Sequence, residues 1–470
     1  LSRKAAPADL LATTLDEIRE VYRADDRPWV VGYSGGKDST TALQLIWQAV
    51  AALPDDERRK HVYVVAGDTR VETPVIIDYL DGALASINER ASSQGLPFSA
   101  HKVVPLVEES FWVNLIGKGY PAPSKRFRWC TERMKINPAN RFILERVAEH
   151  GEVTLVLGVR RQESATRAQV MSLREIKGSL LSRHSSLLNA FVYTPVRDWS
   201  VDDVWTYLLQ VENPWGRDNR DLLALYQNSQ SGECPLVVDT TTPSCGSSRF
   251  GCWVCTVVTK DKAMEAMVDN GEDWLEPLLE LRDLLAATQD PRRKSEVRDH
   301  VRRNGYSSLK TFGTDEDPLI RGPYKLDFCK DVLARVLRAE AEVRRLAPEG
   351  QAVKLISHDE LLEIRRIWRY ERHDWQDSLP PIYTEVTGGA LQIPVDDGAI
   401  FGHEDEALLA ELCAQHDLSL GMLKRLLDTE RDLQGLARRA GILDRLAAVL
   451  GQEWRSEAEV VAAISEAEAA

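Results

Sequence analysis

The stretch "VVGYSGGKDSTTALQL" at residues 31–46 decides the fold. It closes an apolar run, "PWVVGY" (28–33), which reads as one buried strand. Ser34, Gly35, Gly36, Lys37, Asp38 and Ser39 then break the apolar pattern. Ala42, Leu43, Ile46, Ala49, Val50 and Leu53 follow at helical spacing. A helix that starts at the mouth of a strand presents unpaired N–H groups and the positive end of its dipole. Glycines let a phosphate approach the backbone. Lys37 adds a point charge, and Ser34 and Ser39 add hydroxyl donors. The stretch is therefore built for a polyphosphate; the alternative is a tight turn that holds no ligand. It is not a Walker A loop, because Val31 stands where the first Gly is needed and Asp38 where Ser or Thr is needed. The G-x-G-x-x-G dinucleotide pattern is also absent.

Strand and helix signals alternate outward from this stretch. "HVYVVAG" (61–67), "SAHKVVP" (99–105), "EVTLVLGV" (152–159) and "AFVYTPV" (190–196) read as four further strands. Pro74 opens one helix, Asn137 is expected to cap a second with Pro138 at its first position, and Ser200 to cap a third in a capping box with Asp203. The alternation predicts an α/β fold with a doubly wound parallel sheet. With strands in the order 3-2-1-4-5, the switch point lies between the first and fourth, where the Gly-Lys-Asp loop meets the Arg160–Arg161 loop. The 470 residues are expected to form three regions. These are an α/β domain over 1–215, a cysteine-rich region over 216–330 and a mainly helical domain over 331–470. Within the last, "PPIYTEVTGGALQIPVDDG" (380–398) reads as a long loop or small hairpin.

A formal charge of −14 argues against a wholly basic nucleic-acid clamp, while leaving room for a local basic face. The Lys- and Arg-rich run 291–306 is one candidate, with Arg298 and Arg302 on a helix tracking phosphates; a solvated charged face is the alternative. No apolar run is long enough to span a membrane and no secretory h-region opens the chain, so a cytoplasmic protein without membrane contact is expected. The first residue is not Met, which suggests a trimmed chain. Seven cysteines in a reducing compartment point to metal or redox chemistry. Cys234, Cys245, Cys252 and Cys255 have the spacing C-x10-C-x6-C-x2-C. Zinc and an iron–sulfur cluster both accept four thiolates, and spacing alone does not choose between them. Four unrelated buried thiols are the third reading. Cys329 and Cys413 read as ordinary buried thiols. Cys130 lies among Arg126, Arg128 and Arg133 and reads either as a reactive sulfur carrier or as a quiet core thiol.

These residues also carry a resemblance. "SGGKDS" resembles the PP-loop of the ATP pyrophosphatases related to adenylyl-sulfate and phosphoadenylyl-sulfate reductases. "DTRVETP" (68–74), "FRWCTERMKI" (127–136), "GVRRQESATR" (158–167) and "TPVRDWSVDDVW" (194–205) resemble further segments of that fold, in order. "PSCGSSRFGCWVCTVV" downstream resembles the DndC family, which takes part in replacing a DNA backbone oxygen by sulfur; a single-stranded phosphorothioation relative would look much the same. The adjacent Cys-Cys pair of cluster-bearing assimilatory reductases does not occur here.

The resemblance implies ATP with Mg²⁺, a [4Fe–4S] cluster on Cys234, Cys245, Cys252 and Cys255, and DNA as substrate. It also implies a cysteine desulfurase as sulfur donor and other phosphorothioation subunits as partners. Ser34 to Ser39 would hold pyrophosphate, with Lys37 neutralising the leaving group. Asp38 would hold Mg²⁺, Arg160 and Arg161 would bind phosphates, and Asp68 and Glu72 are weaker candidates for metal or substrate. Catalytic roles would fall to Lys37, Asp38 and Cys130. The rivals are a reductase-like, ATP sulfurylase-like or tRNA-thiolating enzyme with the same loop, and a metal-stapled scaffold gated by nucleotide.

Overall fold

A computed structural model describes residues 7–163, 165–174, 176, 178–229, 251–309, 318–394, 401–434 and 441–469. Cys234 and Cys245 lie outside the described residues. The chain divides into two compact units, one of residues 1–106 with 125–279 and one of 107–124 with 280–470.

The first unit is built on a six-stranded sheet: β1 (Trp29–Gly32), β2 (Val62–Gly67), β3 (Phe98–Val103), β4 (Val153–Leu157), β5 (Ser182–Arg183) and β6 (Ala190–Tyr193). Their order is β3-β2-β1-β4-β6-β5. The first five positions reproduce the expected order, with "AFVYTPV" as β6 beside β4. All pairings are parallel except β5 with β6 at the edge. Two residues of β5 carry too little pattern to be read from sequence. The fold is thus α/β with a mostly parallel sheet.

Alternation along the strands covers both faces. Trp29, Val31, Val62, Val64 and Val156 point into one core with Ile18, Leu43, Ile46, Trp47, Leu84, Ile87, Val204 and Leu208. Those partners sit on α1 (Pro7–Arg23), α2 (Lys37–Ala51), α3 (Pro74–Ser93) and a helix over Val201–Gln210. Val30, Val65, Val153, Leu155 and Leu157 point the other way, onto Ile143 of α4 (Asn137–His150). Fully apolar strands are what a sheet covered on both faces requires. The helix over Val201–Gln210 is α6, and the remaining helices here are α5 (Ala165–Arg174), α7 (Asn219–Ser229) and α8 (Lys262–Asp269).

Ser200 forms the expected capping box with Asp203. Asn137 does not cap α4: a π-helical turn, Thr131–Ile136, runs straight into it, so the chain is already helical when it reaches Asn137. Pro138 is tolerated because it sits at the first turn.

The second unit is helical. α9 (Glu276–Ala287) straddles the division, followed by α10 (Pro291–Val297), α11 (Leu326–Leu346), α12 (His358–Glu371) and α13 (Leu379–Thr387). Further helices run over His403–His416, Leu420–Asp432, Ile442–Leu450 and Glu457–Ala469. Its core includes Val332, Leu333, Val336, Ile364, Ile367 and Trp368 together with Trp112, Val113, Leu115 and Ile116. Trp368 donates to the Ile116 carbonyl at 2.9 Å, and Trp112 to the Leu355 carbonyl at 2.7 Å. Residues 107–124 therefore belong with chain that follows far downstream, a grouping that cuts across the three consecutive blocks read from sequence.

Residues 379–387 are helical where a loop or hairpin was expected. Pro380 and Pro381 fall in the first turn, where no N–H is needed, and Gly388 ends the helix at φ 71°. The basic run 291–306 is not one helical face either. α10 ends at Val297, and the Arg298 guanidinium turns inward to the carbonyls of Gly322 (2.8 Å) and Arg321 (2.5 Å). Cys329 and Cys413 are buried, as expected.

The register of β1 against β4 brings the loops after them side by side. Gly158, just beyond β4, is where they touch: a Cβ there would lie 2.5 Å from the Asp38 carbonyl oxygen and 2.7 Å from Ser39 Cα. Backbone cannot yield as a side-chain tip can. Gly158→Ala is expected to lower stability by about 1–3 kcal/mol in urea unfolding. Gly67→Ala, which meets open space at the end of β2, should change it by less than about 0.5 kcal/mol.

Candidate functional site

The turn between β1 and α2 is shaped by its glycines and hydroxyls. Gly35 takes φ 71°, which only Gly adopts without strain, and its α-carbon backs onto Tyr79. The two serines tie the turn together. Ser34 N–H donates to Ser39 Oγ (3.2 Å), the two hydroxyls meet at 2.9 Å, and Ser39 Oγ donates to the Gly36 carbonyl (3.0 Å). The Gly36 N–H reaches Ser34 Oγ at 3.3 Å, and the Lys37 N–H reaches the hydroxyl of Tyr226 at 3.2 Å.

Asp38 sits at the centre of the charge pattern. Its Oδ2 lies 3.1 Å from Lys37 Nζ and its Oδ1 lies 2.5 Å from Arg160 Nε. All three side chains are buried. Lys37 and Arg160 thus flank one carboxylate at the N-terminus of α2, where the helix dipole and unpaired N–H groups favour an anion. The glycine loop and Arg160 are thus in direct contact.

Arg161 turns elsewhere. It reaches Asp198 at 3.0 Å, with both side chains substantially exposed. The neighbours that looked like twin phosphate ligands are thus divided between a buried and a surface position. Asp68, buried at the end of β2, accepts from the Arg70 N–H at 2.7 Å and lies 3.6 Å from Lys102 Nζ. It thereby shapes the next turn, in which Arg70 takes a left-handed φ of 61°.

That turn carries Thr69 and Glu72 to the described cysteines. Glu72 and Cys252 form an isolated antiparallel bridge, and the Trp253 N–H donates to the Val71 carbonyl at 2.9 Å. Thr69 Oγ1 lies 2.8 Å from Glu72 Oε1 and 3.3 Å from Cys252 Sγ, which is itself 3.6 Å from Glu72 Oε1. Burial pushes the Cys252 thiol up, and negative charge on Glu72 or Cys130 adds to that shift while Lys135 opposes it. Cys130 and Lys135 are therefore electrostatic neighbours of Cys252. Burial likewise raises the Glu72 carboxyl, again against Lys135.

Cys252 and Cys255 flank a tight turn in which the Cys255 N–H donates to the Cys252 carbonyl at 3.0 Å. Neither is in a disulfide. Two half-buried thiols on one turn suit one metal centre. Among the described residues no group of three or more His, Cys, Asp or Glu could hold a metal ion, two of the four cysteines lying outside them.

Gly158, Thr69, Lys135 and Tyr226 had no assigned role from sequence. The first three lie inside the quoted motifs and could have been picked out. Tyr226 is 189 residues from its partner and carries no local signal.

Comparison with known proteins places the first unit. Residues 28–258 match the phosphoadenosine phosphosulfate reductase domain. Over those residues the chain is similar to that domain. The chain is also 26% identical over 238 residues to the uncharacterized protein MJ0066 of Methanocaldococcus jannaschii. That match takes in 51% of this chain and 38% of the relative's length. Among solved structures, the U34-tRNA thiolase NcsA from Methanococcus maripaludis with its [4Fe-4S] cluster aligns over 61% of this chain and 80% of its own. The identity is 11% and the TM-score 0.30, a level that carries no inference about this chain. Among the described residues no helix is long and apolar enough to cross a membrane.

The split between Arg160 and Arg161 is measurable in thermal or urea unfolding. Arg160→Ala leaves a buried carboxylate short of a cation and is expected to cost about 3 kcal/mol. Arg161→Ala removes an exposed pair and is expected to cost less than about 1 kcal/mol.

Proposed function

We propose that this chain is an ATP-dependent sulfurtransferase that activates a backbone phosphate of DNA for sulfur insertion, as its resemblance to the DndC family implies. The observation that supports this most is the buried Lys37–Asp38–Arg160 group at the mouth of the sheet's switch point. Asp38 is assigned to Mg²⁺, and the two cations it now holds are assigned to the phosphates. Binding of Mg·ATP exchanges one set of ion pairs for another, so little buried charge is left uncompensated.

The chemistry balances as two displacements. A phosphodiester oxygen attacks the α-phosphorus of ATP, the α–β bridge breaks, and pyrophosphate leaves with its charge met by Lys37 and the α2 amides. A sulfide nucleophile then attacks the activated DNA phosphorus, and AMP departs with the original oxygen. Ser34, Gly35, Gly36 and Ser39 are assigned to the pyrophosphate position and Glu72 to positioning the cysteine turn; Arg161 and Asp68 are assigned to the nucleotide, which requires them to leave Asp198 and the Arg70 amide.

Cys130, beside Cys252 and Lys135, is assigned as the relay that carries sulfur as a persulfide; a cellular thiol attacks its inner sulfur, the S–S bond breaks to release sulfide, and a second thiol reduces the resulting mixed disulfide and frees Cys130. Cys252 and Cys255, with Cys234 and Cys245, are assigned as ligands of a [4Fe–4S] cluster. When bound, that group would supply thiophilic iron next to the relay. A cysteine desulfurase is the proposed upstream donor, and other phosphorothioation subunits the proposed carriers of much of the DNA affinity, given the charge of −14.

Pyrophosphate release from ATP is the deciding measurement. It is expected to depend on DNA, to be absent with tRNA or sulfate, and to fall about 10²–10³-fold in Asp38→Ala that still unfolds cooperatively. Equal stimulation by tRNA, or release untouched by the substitution, would sink the proposal. Cys252→Ser is expected to lower iron and acid-labile sulfide content and the absorbance near about 400 nm, the region of thiolate–iron charge transfer. Unchanged iron content would remove Cys252 from the ligand set.

A further inference from the structure

We propose that Tyr226 is a resident occupant of the phosphate loop. Its hydroxyl holds the Lys37 amide while the loop is empty of nucleotide and surrenders it when a polyphosphate arrives. The proposal rests on the reading of this loop as an ATP site.

The contact is built into the fold. Asn219, at the start of α7, is buried and tied to α2: it exchanges amide hydrogen bonds with Gln44 at 2.8 and 3.4 Å. It also donates to the Leu208 and Val211 carbonyls at 2.8 and 3.2 Å and accepts from Asn213 at 3.2 Å. From that anchor α7 runs in the opposite sense to α2. Lys37 precedes Gln44 by seven residues and Tyr226 follows Asn219 by seven, so the second contact falls two turns, about 10 Å, from the first on each helix. Register thus delivers the Tyr226 hydroxyl to the first amide of α2. The Tyr226 ring is held edge-on by Trp205, centroids 5.2 Å apart, and the Lys37 ammonium lies 5.4 Å from its centroid. Gly36 completes the fit, since a Cβ there would come within 3.2 Å of the hydroxyl oxygen.

The hydroxyl occupies a position that a phosphate oxygen needs. A helix-start N–H aimed at a bound phosphate is the basis of anion binding at such turns. Here that N–H already has a neutral acceptor. An anionic oxygen is the stronger acceptor, so exchange favours the phosphate. The neutral hydroxyl keeps the amide satisfied in the meantime and works as a competitor, which sets the threshold at which polyphosphate binds. AMP, which carries no β- or γ-phosphate, does not compete for the amide.

Tyr226→Phe keeps the ring and removes only the oxygen. Calorimetry with inorganic pyrophosphate and with Mg²⁺ and α,β-methylene-ATP is expected to show about threefold to tenfold tighter binding than wild type, the worth of one neutral hydrogen bond, with AMP unchanged. A residue that merely packs the loop would give unchanged or weaker binding, which overturns the proposal. Amide exchange supplies a readout without ligand: the Lys37 N–H should exchange faster in Tyr226→Phe than in wild type, and equal protection would also overturn it. If neither protein binds pyrophosphate or the ATP analogue, the nucleotide reading itself falls. If wild type binds and Phe leaves affinity unchanged or lower, only the assignment of Tyr226 falls.

Discussion

The carboxylate of Asp38, buried between Lys37 and Arg160, is the constraint on which the rest of the first unit depends. It joins the loop after β1 to the loop after β4, the two loops that meet where the strand order reverses. A single buried carboxylate would be costly there, and the two cations around it offset that cost. Gly158 makes the arrangement possible by giving the Asp38 backbone no Cβ to meet. Charge and packing at this point are thus one requirement, since the ion pair forms only if the backbones approach closely.

A second convergence lies at the end of the neighbouring strand. The turn after β2 is bent by Asp68 and by the left-handed Arg70, and the bend presents Thr69 and Glu72 to Cys252. Cys130 reaches the same neighbourhood from the π-helical turn ahead of α4. The glycine turn and the turn that meets Cys252 therefore follow adjacent parallel strands, β1 and β2, at the same end of the sheet. The proposed sulfur transfer would draw on both turns.

Much of this was legible in the chain because the physics is local. Ser34 to Ser39 can be read as a helix-start anion turn without reference to distant residues, and strands covered on both faces announce themselves as apolar runs. The capping box at Ser200 is equally local. Asn137 misled because a cap and a mid-helix residue before Pro138 look alike until the preceding turn is known. Residues 380–387 misled because prolines and glycines at the two ends of a helix also compose a loop. The run 291–306 misled because charge density says nothing of direction, and Arg298 spends its guanidinium on the Gly322 and Arg321 carbonyls.

The sequence by itself determined the alternation of strand and helix, the phosphate-suited turn and the cysteine spacing, since each is set by residues adjacent in the chain. Tertiary structure alone decided that Arg160 is buried on Asp38 while Arg161 faces Asp198, and that residues 107–124 pack with chain beyond 280. It alone set Tyr226 over the Lys37 amide. Those outcomes depend on which surfaces are brought together when apolar faces are buried, and contacts of that kind join residues too far apart in sequence to leave a local pattern.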